Sequence, residues 1–228
     1  MKALIFDTGP IITLATNNLL WVLRPLKEKF KGEFYITKSV KKELIDKPLK
    51  SKKFKFEAIS ILEYIKDNTL KISNQKIYPK SEILLELANN IFKTKKEYLR
   101  IVSEGEMEAL ALTSILKANA FVIDERTTRM LIENPYALKK LLSNKLHTEI
   151  IIDKNNLKKF QKEINNINII RSTELLTIAY ELGLFNKYIT NNITKKTLLD
   201  GLLWGSKLRG CSISSQEIET IMKLEINQ

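Results

Sequence analysis

Carboxylates stand at four places in this chain where an apolar run gives way to a turn or a helix. Asp7 closes Leu4-Ile5-Phe6 and is followed by Thr8-Gly9-Pro10. Glu43 lies in the helix predicted after Phe34-Tyr35-Ile36, Glu106 opens the apolar segment Gly105–Ala118, and Asp124-Glu125 closes Ala120-Phe121-Val122-Ile123. A carboxylate at the carboxyl end of a buried strand points into the crevice where open α/β sheets bind ligands. Four acids at one sheet edge repel one another unless a cation sits among them. A hard divalent ion with oxygen ligands resolves that repulsion, and Mg²⁺ keeps waters for substrate phosphates.

Little else in the sequence competes for the chemistry. The chain has one Cys, Cys211, and one His, His147. An internal disulfide is therefore excluded, and a structural zinc site, which needs about four Cys or His ligands, is excluded too. His147 sits in the polar, Lys-rich stretch Asn144–Thr148 and reads as a surface residue. Carboxylates and a metal ion are what remains.

Each acid also has a purely structural role open to it. Asp7 fits a turn cap. Glu43 and Lys47 form a favourable i,i+4 pair, and Ser103-Glu104-Gly105-Glu106 matches a capping box. Asp124 fits the N-cap of the helix after its strand.

The elements that must position these residues follow from hydrophobic patterning. Leu4–Phe6, Phe34–Ile36 and Ala120–Ile123 read as strands, with Leu70–Ile72 as an edge strand and Glu149–Ile152 and Ile167–Ile170 as further candidates. Helices are predicted over Ile11–Leu23, Val40–Asp46 with Thr37 or Ser39 as cap, Glu57–Lys66, Ser81–Val102 as one helix or two, Gly105–Ala118, the start at Arg126–Arg129, Tyr136–Leu142 and Asn155–Ile164. Ser172–Leu184, Thr194–Leu208 and Ser214–Leu224 are helical as well. Short strands alternating with helices imply an α/β fold with a mainly parallel sheet covered on both faces.

Lys and Arg number 38 against 26 Asp and Glu, a net charge of +12. That balance favours an anionic partner, nucleic acid first and an acidic membrane surface second. Lys50-Ser51-Lys52-Lys53 and Lys93-Thr94-Lys95-Lys96 are candidate phosphate contacts, and equally candidate solvated faces. Trp21 and Trp204 lie in apolar helical stretches and read as packing residues. The uncharged run from Thr8 to Leu23 contains Pro10, Asn17 and Asn18 and falls short of the ~20 apolar residues of a membrane helix. A protein of the cytoplasm is expected.

Three segments, LIFDTGPIITLA, ITKSVKKEL and SEGEMEALALTSILKANAFVIDERTTR, resemble in spacing and order the PIN-domain nucleases, above all VapC-like toxins and related archaeal and bacterial PIN proteins. RSTELLTIAYELGLF and TLLDGLLWGSKLRGCSISSQEIETIM resemble the C-terminal helices of one PIN subgroup. The resemblance implies a three-layer sandwich around a mainly parallel sheet of about five strands. It divides the chain into a PIN-like nuclease domain over 1–171, with an extended helical insertion over 48–102, and a C-terminal helical extension over 172–228 packed on it. It implies an Mg²⁺- or Mn²⁺-dependent endoribonuclease. Asp7, Glu43, Glu106 and Asp124 match the family's acids and would be both catalytic and metal-binding. Glu125 competes with Asp124 for the fourth position, and Glu104 and Glu108 crowd the third, which in the family is more often Asp. Thr8 matches the hydroxyl residue that follows the first acid. Independently of the resemblance, Arg126 and Arg129 lie near the predicted pocket and are expected to touch a substrate phosphate. RNA, an antitoxin protein in a toxin–antitoxin pair and a second copy of the chain are the partners implied. The competing expectation is a PIN scaffold without catalysis that binds RNA or protein. A phosphoacceptor receiver domain ranks lower, because Asp7 stands alone after its strand.

Overall fold

The computed structural model describes residues 2–226. β1 (Ala3–Phe6) is fully buried, and α1 (Thr8–Thr16) begins directly after Asp7, whose extended backbone ends the strand. Pro10 falls in the first turn of α1, where a missing N–H has no helical partner to lose. The helix expected to run to Leu23 stops at Thr16. Asn18 turns left-handed (φ 57°), a 3₁₀ turn covers Leu20–Val22, and α2 (Leu23–Phe30) passes through Pro25. Asn accepts the left-handed region more readily than most residues. Asn17-Asn18 therefore breaks the expected helix.

β2 (Glu33–Ile36) leads to α3 (Lys38–Lys41), capped by Thr37 Oγ1, which accepts from the Val40 N–H. A π-helical turn over Lys42–Asp46 carries Glu43, and α4 (Lys47–Leu49) continues the same helix through Pro48. α5 (Lys55–Lys66) then crosses back to β3 (Lys71–Ile72), which pairs parallel with β2. The 48–102 stretch is therefore not a purely helical insertion. It supplies an edge strand of the central sheet, and parallel neighbours require such a crossover helix.

α6 (Lys80–Asn89) ends well short of Val102. Asn89 explains why: its Oδ1 accepts from the Ile101 and Val102 N–H groups and its Nδ2 donates to the Val102 carbonyl, folding the following segment back on itself. β4 (Phe92–Lys93) lies in that segment, so Lys93, Lys95 and Lys96 sit on a strand and a loop rather than a helix. α7 (Glu104–Leu116), β5 (Ala120–Val122), α8 (Arg126–Glu133) and α9 (Pro135–Leu146) follow. β6 (Ile151–Ile152) pairs antiparallel with β4 in a separate two-stranded sheet, so the strand expected near Glu149 does not join the central one. α10 (Lys154–Ile164) leads to β7 (Ile169–Ile170), and α11 (Ser172–Glu181), α12 (Lys195–Leu208) and α13 (Ser215–Ile226) complete the described chain.

The central sheet has five strands in the order β3-β2-β1-β5-β7, every pair parallel. Side chains of β1 alternate between its two faces. Leu4 and Phe6 pack with α1, α2, α5 and α11, while Ile5 packs with α6, α7 and α10. Helices on both faces make the three-layer α/β sandwich. Trp21 packs edge-on against Phe185, as a core aromatic, whereas Trp204 is 36% exposed. Among the described residues no helix is long and apolar enough to cross a membrane.

Arg171 ties the C-terminal helices to the sheet. It is buried, donates to Glu217 Oε1 at 2.7 Å and also pairs with Glu174. Partial burial pushes the Glu217 carboxyl up, but the Ser214 amide and the Arg171 guanidinium outweigh it and hold the pKa at about 2. A depressed carboxyl stabilises the fold above its unfolded value, near 4.5, and loses that effect as the pH falls toward about 2. Denaturant titrations at pH 5 and pH 3 should show a smaller loss in Glu217→Gln than in the wild type.

Candidate active site

All strands of the central sheet point the same way, so the helices that follow them start at one edge. Asp7 stands at the N-cap of α1 and Glu125 at the N-cap of α8. Glu106 lies in the first turn of α7, and Glu43 in the helical segment after β2. Parallel topology alone therefore gathers acids from distant parts of the sequence.

Asp7 is 8% exposed, and its carboxyl is pushed up to about 7. Burial is the largest cause, and the charges of Glu106 and Glu43 add to it. The amides of Thr8 and Gly9 pull the other way without completing a cap hydrogen bond. Glu106 is also raised, by burial first and by the charge of Glu125. Asp7 thus senses Glu43 and Glu106, and Glu106 senses Glu125.

Three of these acids share a pattern. In each, a single carboxylate oxygen takes the positioning bonds. Glu43 Oε2 accepts from Thr8 Oγ1 at 2.8 Å, while Oε1 lies 3.7 Å from Lys47 Nζ. Glu106 Oε2 takes both the Ser103 N–H and the Ser103 hydroxyl, at 2.6 and 2.9 Å. Glu125 Oε2 accepts from the Thr128 N–H at 2.6 Å. The capping box at Ser103–Glu106 is real, and it aims Glu106 rather than consuming it.

Asp124 differs. It is 2% exposed and both its oxygens are engaged: Oδ2 by the Thr13 hydroxyl and Oδ1 by the Ser172 N–H, each at 2.8 Å. Its carbonyl accepts from the Ser212 N–H at 3.4 Å. Asp124 joins β5 to α1 and to the start of α11. Of the two acids after this strand, Glu125 is the one that faces Glu106. Thr8 holds Glu43 in place. Arg126 is exposed, and Arg129 pairs with Glu133 one turn along α8. Thr13 and Ser172 were not singled out by sequence reasoning. A threonine in the otherwise apolar face of α1 was the one available signal for the first, since a buried hydroxyl needs a partner.

The donor set is all oxygen, which suits a hard divalent ion. Two glycines lie beside it. A Cβ on Gly9 would stand 3.9 Å from Asp7 Oδ2, and one on Gly105 would stand 3.8 Å from Glu43 Oε1. Among the described residues no three acids, histidines or cysteines stand close enough to enclose an ion alone. Mg²⁺ is commonly held by one or two carboxylates with waters and phosphate oxygens completing the shell, and an open set of this kind fits that mode.

Comparison with known proteins adds one finding. A family model described as a PIN domain matches residues 3–134, more than half of the 228-residue chain. No curated protein and no solved structure matches significantly. The matched stretch holds all five acids, from Asp7 to Glu125, and ends before α9.

Proposed function

The chain belongs to the PIN-domain family, a nuclease-type fold, and from that premise we propose that it is a metal-dependent endoribonuclease hydrolysing RNA phosphodiester bonds. The observation that carries this reading is a buried Asp7 that feels the charges of Glu43 and Glu106 and has no Lys or Arg paired with it among the described residues. Asp7, Glu43, Glu106 and Glu125 would hold Mg²⁺ or Mn²⁺ through the oxygens their own positioning bonds leave free. The bound ion would supply a water of lowered pKa and neutralise charge on the phosphate.

The remaining work falls to this chain's residues. Ser103 and Thr8 fix the aim of Glu106 and Glu43, so that little ordering is needed when substrate arrives. The N-termini of α1, α7 and α8 open at the same edge and favour negative charge there. Asp124, committed to Thr13 and Ser172, holds the pocket wall.

An acidic pocket does not attract RNA, so the basic surplus must. α5 delivers the chain to the amino end of β3, so the loop before it, with Lys50, Lys52 and Lys53, lies toward the acid edge. These lysines are exposed, and Phe56 beside them is 77% exposed. Replacing Lys50, Lys52 and Lys53 by Ser should lower the slope of log affinity against log salt by about 2 for a single strand. Fluorescence anisotropy at several salt concentrations measures this, and an unchanged slope would place the RNA path elsewhere.

The direct test is cleavage of labelled single-stranded RNA with Mn²⁺ or Mg²⁺ and with EDTA. Internal cuts that need the metal support the proposal, and intact RNA under all conditions refutes it. One observation favours a second reading, a PIN scaffold that binds without hydrolysis: the acids do not enclose an ion unaided. Calorimetric titration with Mn²⁺ separates the two, since that scaffold would bind none.

A further inference from the structure

A second cleft opens at the carboxyl ends of β2 and β3, next to the acid edge. Its volume is about 630 Å³, within the usual range for small-molecule pockets. Lys38, Ser39, Asn74, Gln75 and Lys76 line it, with Tyr78 and Glu108. We infer that this cleft is a base-recognition pocket for a guanine of single-stranded RNA, in which Glu108 accepts from the base's Watson–Crick edge and Tyr78 stacks on its face. The inference deepens the ribonuclease reading by naming what the substrate presents beside the scissile bond.

Glu108 carries the argument. It is 4% exposed, although buried acids are ordinarily paired with a cation or a metal. No salt bridge reaches it among the described residues. One donor does: the Tyr78 hydroxyl, 2.9 Å from Oε1. Oε2 has no donor among the described residues, and Glu108 lines the cleft. Glu104, one turn earlier on the same face of α7, lies 3.5 Å from the same hydroxyl. Glu106, between them, turns instead toward Asp7. One helix thus presents one carboxylate to the acid cluster and another to the cleft.

Tyr78 is built as a platform. Its hydroxyl is pinned while 51% of its surface remains exposed. The bond to Glu108 pushes its pKa up to about 12, so the hydroxyl stays a donor at neutral pH. Single-stranded RNA is read in this manner, by bases splayed onto aromatic rings and bonded along their Watson–Crick edges.

The choice of base follows from donors and acceptors. An ionised carboxylate only accepts. Guanine offers adjacent imino and amino N–H groups, two donors on one edge. Cytosine and adenine each offer an amino group there, and uracil a single imino group between two acceptors. Guanine's O6 then needs a donor, which Lys38, Lys76, Asn74 and Gln75 provide around the cleft. Position agrees as well. Ser39 lies four residues before Glu43 in one continuous helical stretch, so a nucleotide in the cleft has its neighbouring phosphate beside the acids.

The test uses the full chain in EDTA, so that no cleavage occurs and its outcome is independent of the ribonuclease proposal. Fluorescein-labelled UUGUU, UUAUU, UUCUU and UUUUU are compared by anisotropy. Wild type should bind UUGUU about 10-fold more tightly than the other three, the scale of one bidentate base contact. Glu108→Gln should remove that preference, weakening UUGUU by more than it changes any of the other three. Tyr78→Ala should weaken all four by a similar factor, about 10-fold. Equal wild-type affinities, preference for another base, or a guanine preference that survives Glu108→Gln would each overturn the inference. The wild-type comparison needs no variant to fold.

Discussion

Asp7→Asn should abolish metal-dependent cleavage, by at least about 100-fold, and at the same time make the metal-free protein more stable. The first effect follows from losing an anionic oxygen at the centre of the acid set. The second follows from Asp7's pKa of about 7 against 3.8 for an unperturbed Asp. The folded state binds a proton on Asp7 more tightly than the unfolded chain. Between pH 3.8 and about 7, stability therefore falls as pH rises, and above about 7 the full destabilisation is present. A shift of roughly 3 units corresponds to about 4 kcal/mol. Asparagine has no charge to desolvate there. In EDTA at pH 8 the variant should melt about 10 °C above the wild type, and the gap should close as the pH approaches 4. Thermal melts across that range check it. Equal melting temperatures at pH 8 would mean that Asp7 is not held in a repulsive, buried setting, and the case for a cation there would lose its physical basis. Stability withheld at an active carboxylate is the usual exchange of stability for function.

Asp124→Ala should act in the opposite sense, although the two aspartates flank the same glycine. A Cβ on Gly9 would stand 3.4 Å from Asp124 Cβ and 3.9 Å from Asp7 Oδ2. Removing the Asp124 carboxylate strands the Ser172 N–H and the Thr13 hydroxyl, and Asp124 itself is only 2% exposed. Each unsatisfied buried group costs about 1–3 kcal/mol, so the variant should lose roughly 2–5 kcal/mol. The loss should appear in denaturant unfolding in EDTA at every pH from 5 to 8. Glu125→Gln is the counterpart. Its side chain is exposed, so stability should change by less than about 0.5 kcal/mol while cleavage falls about 10- to 100-fold. Unperturbed folding in Asp124→Ala together with lost cleavage would return Asp124 to the metal-facing set.

The fold class was legible because its signals are local. Leu4–Phe6, Phe34–Ile36 and Ala120–Ile123 are short apolar runs each followed by a helix start, and parallel topology follows from that alternation. Where the expectations failed, a contact between distant or unusual groups had decided. Asn18 in a left-handed conformation broke the helix expected from Ile11 to Leu23. Asn89 captured the backbone of Ile101 and Val102, which lie beyond the reach of any helical period. The partner of β6 was β4, and no pattern in two apolar dipeptides specifies pairing to a second, smaller sheet.

By itself the sequence determined that acids rather than His or Cys must do any chemistry here, and that strand ends would bring Asp7 and the Asp124-Glu125 pair to one edge. That much is composition plus the rule that parallel strands share a direction. Only the tertiary structure shows which of the two acids has a donor on each of its oxygens. Asp124 and Glu125 are neighbours of nearly the same chemistry, yet Thr13 and Ser172 donate to the two oxygens of one, while the other accepts from Thr128 and lies near Glu106. The difference lies in donors that arrive from α1 and α11, one of them 48 residues along the chain, and hydrogen bonding across such separations leaves no trace in local spacing.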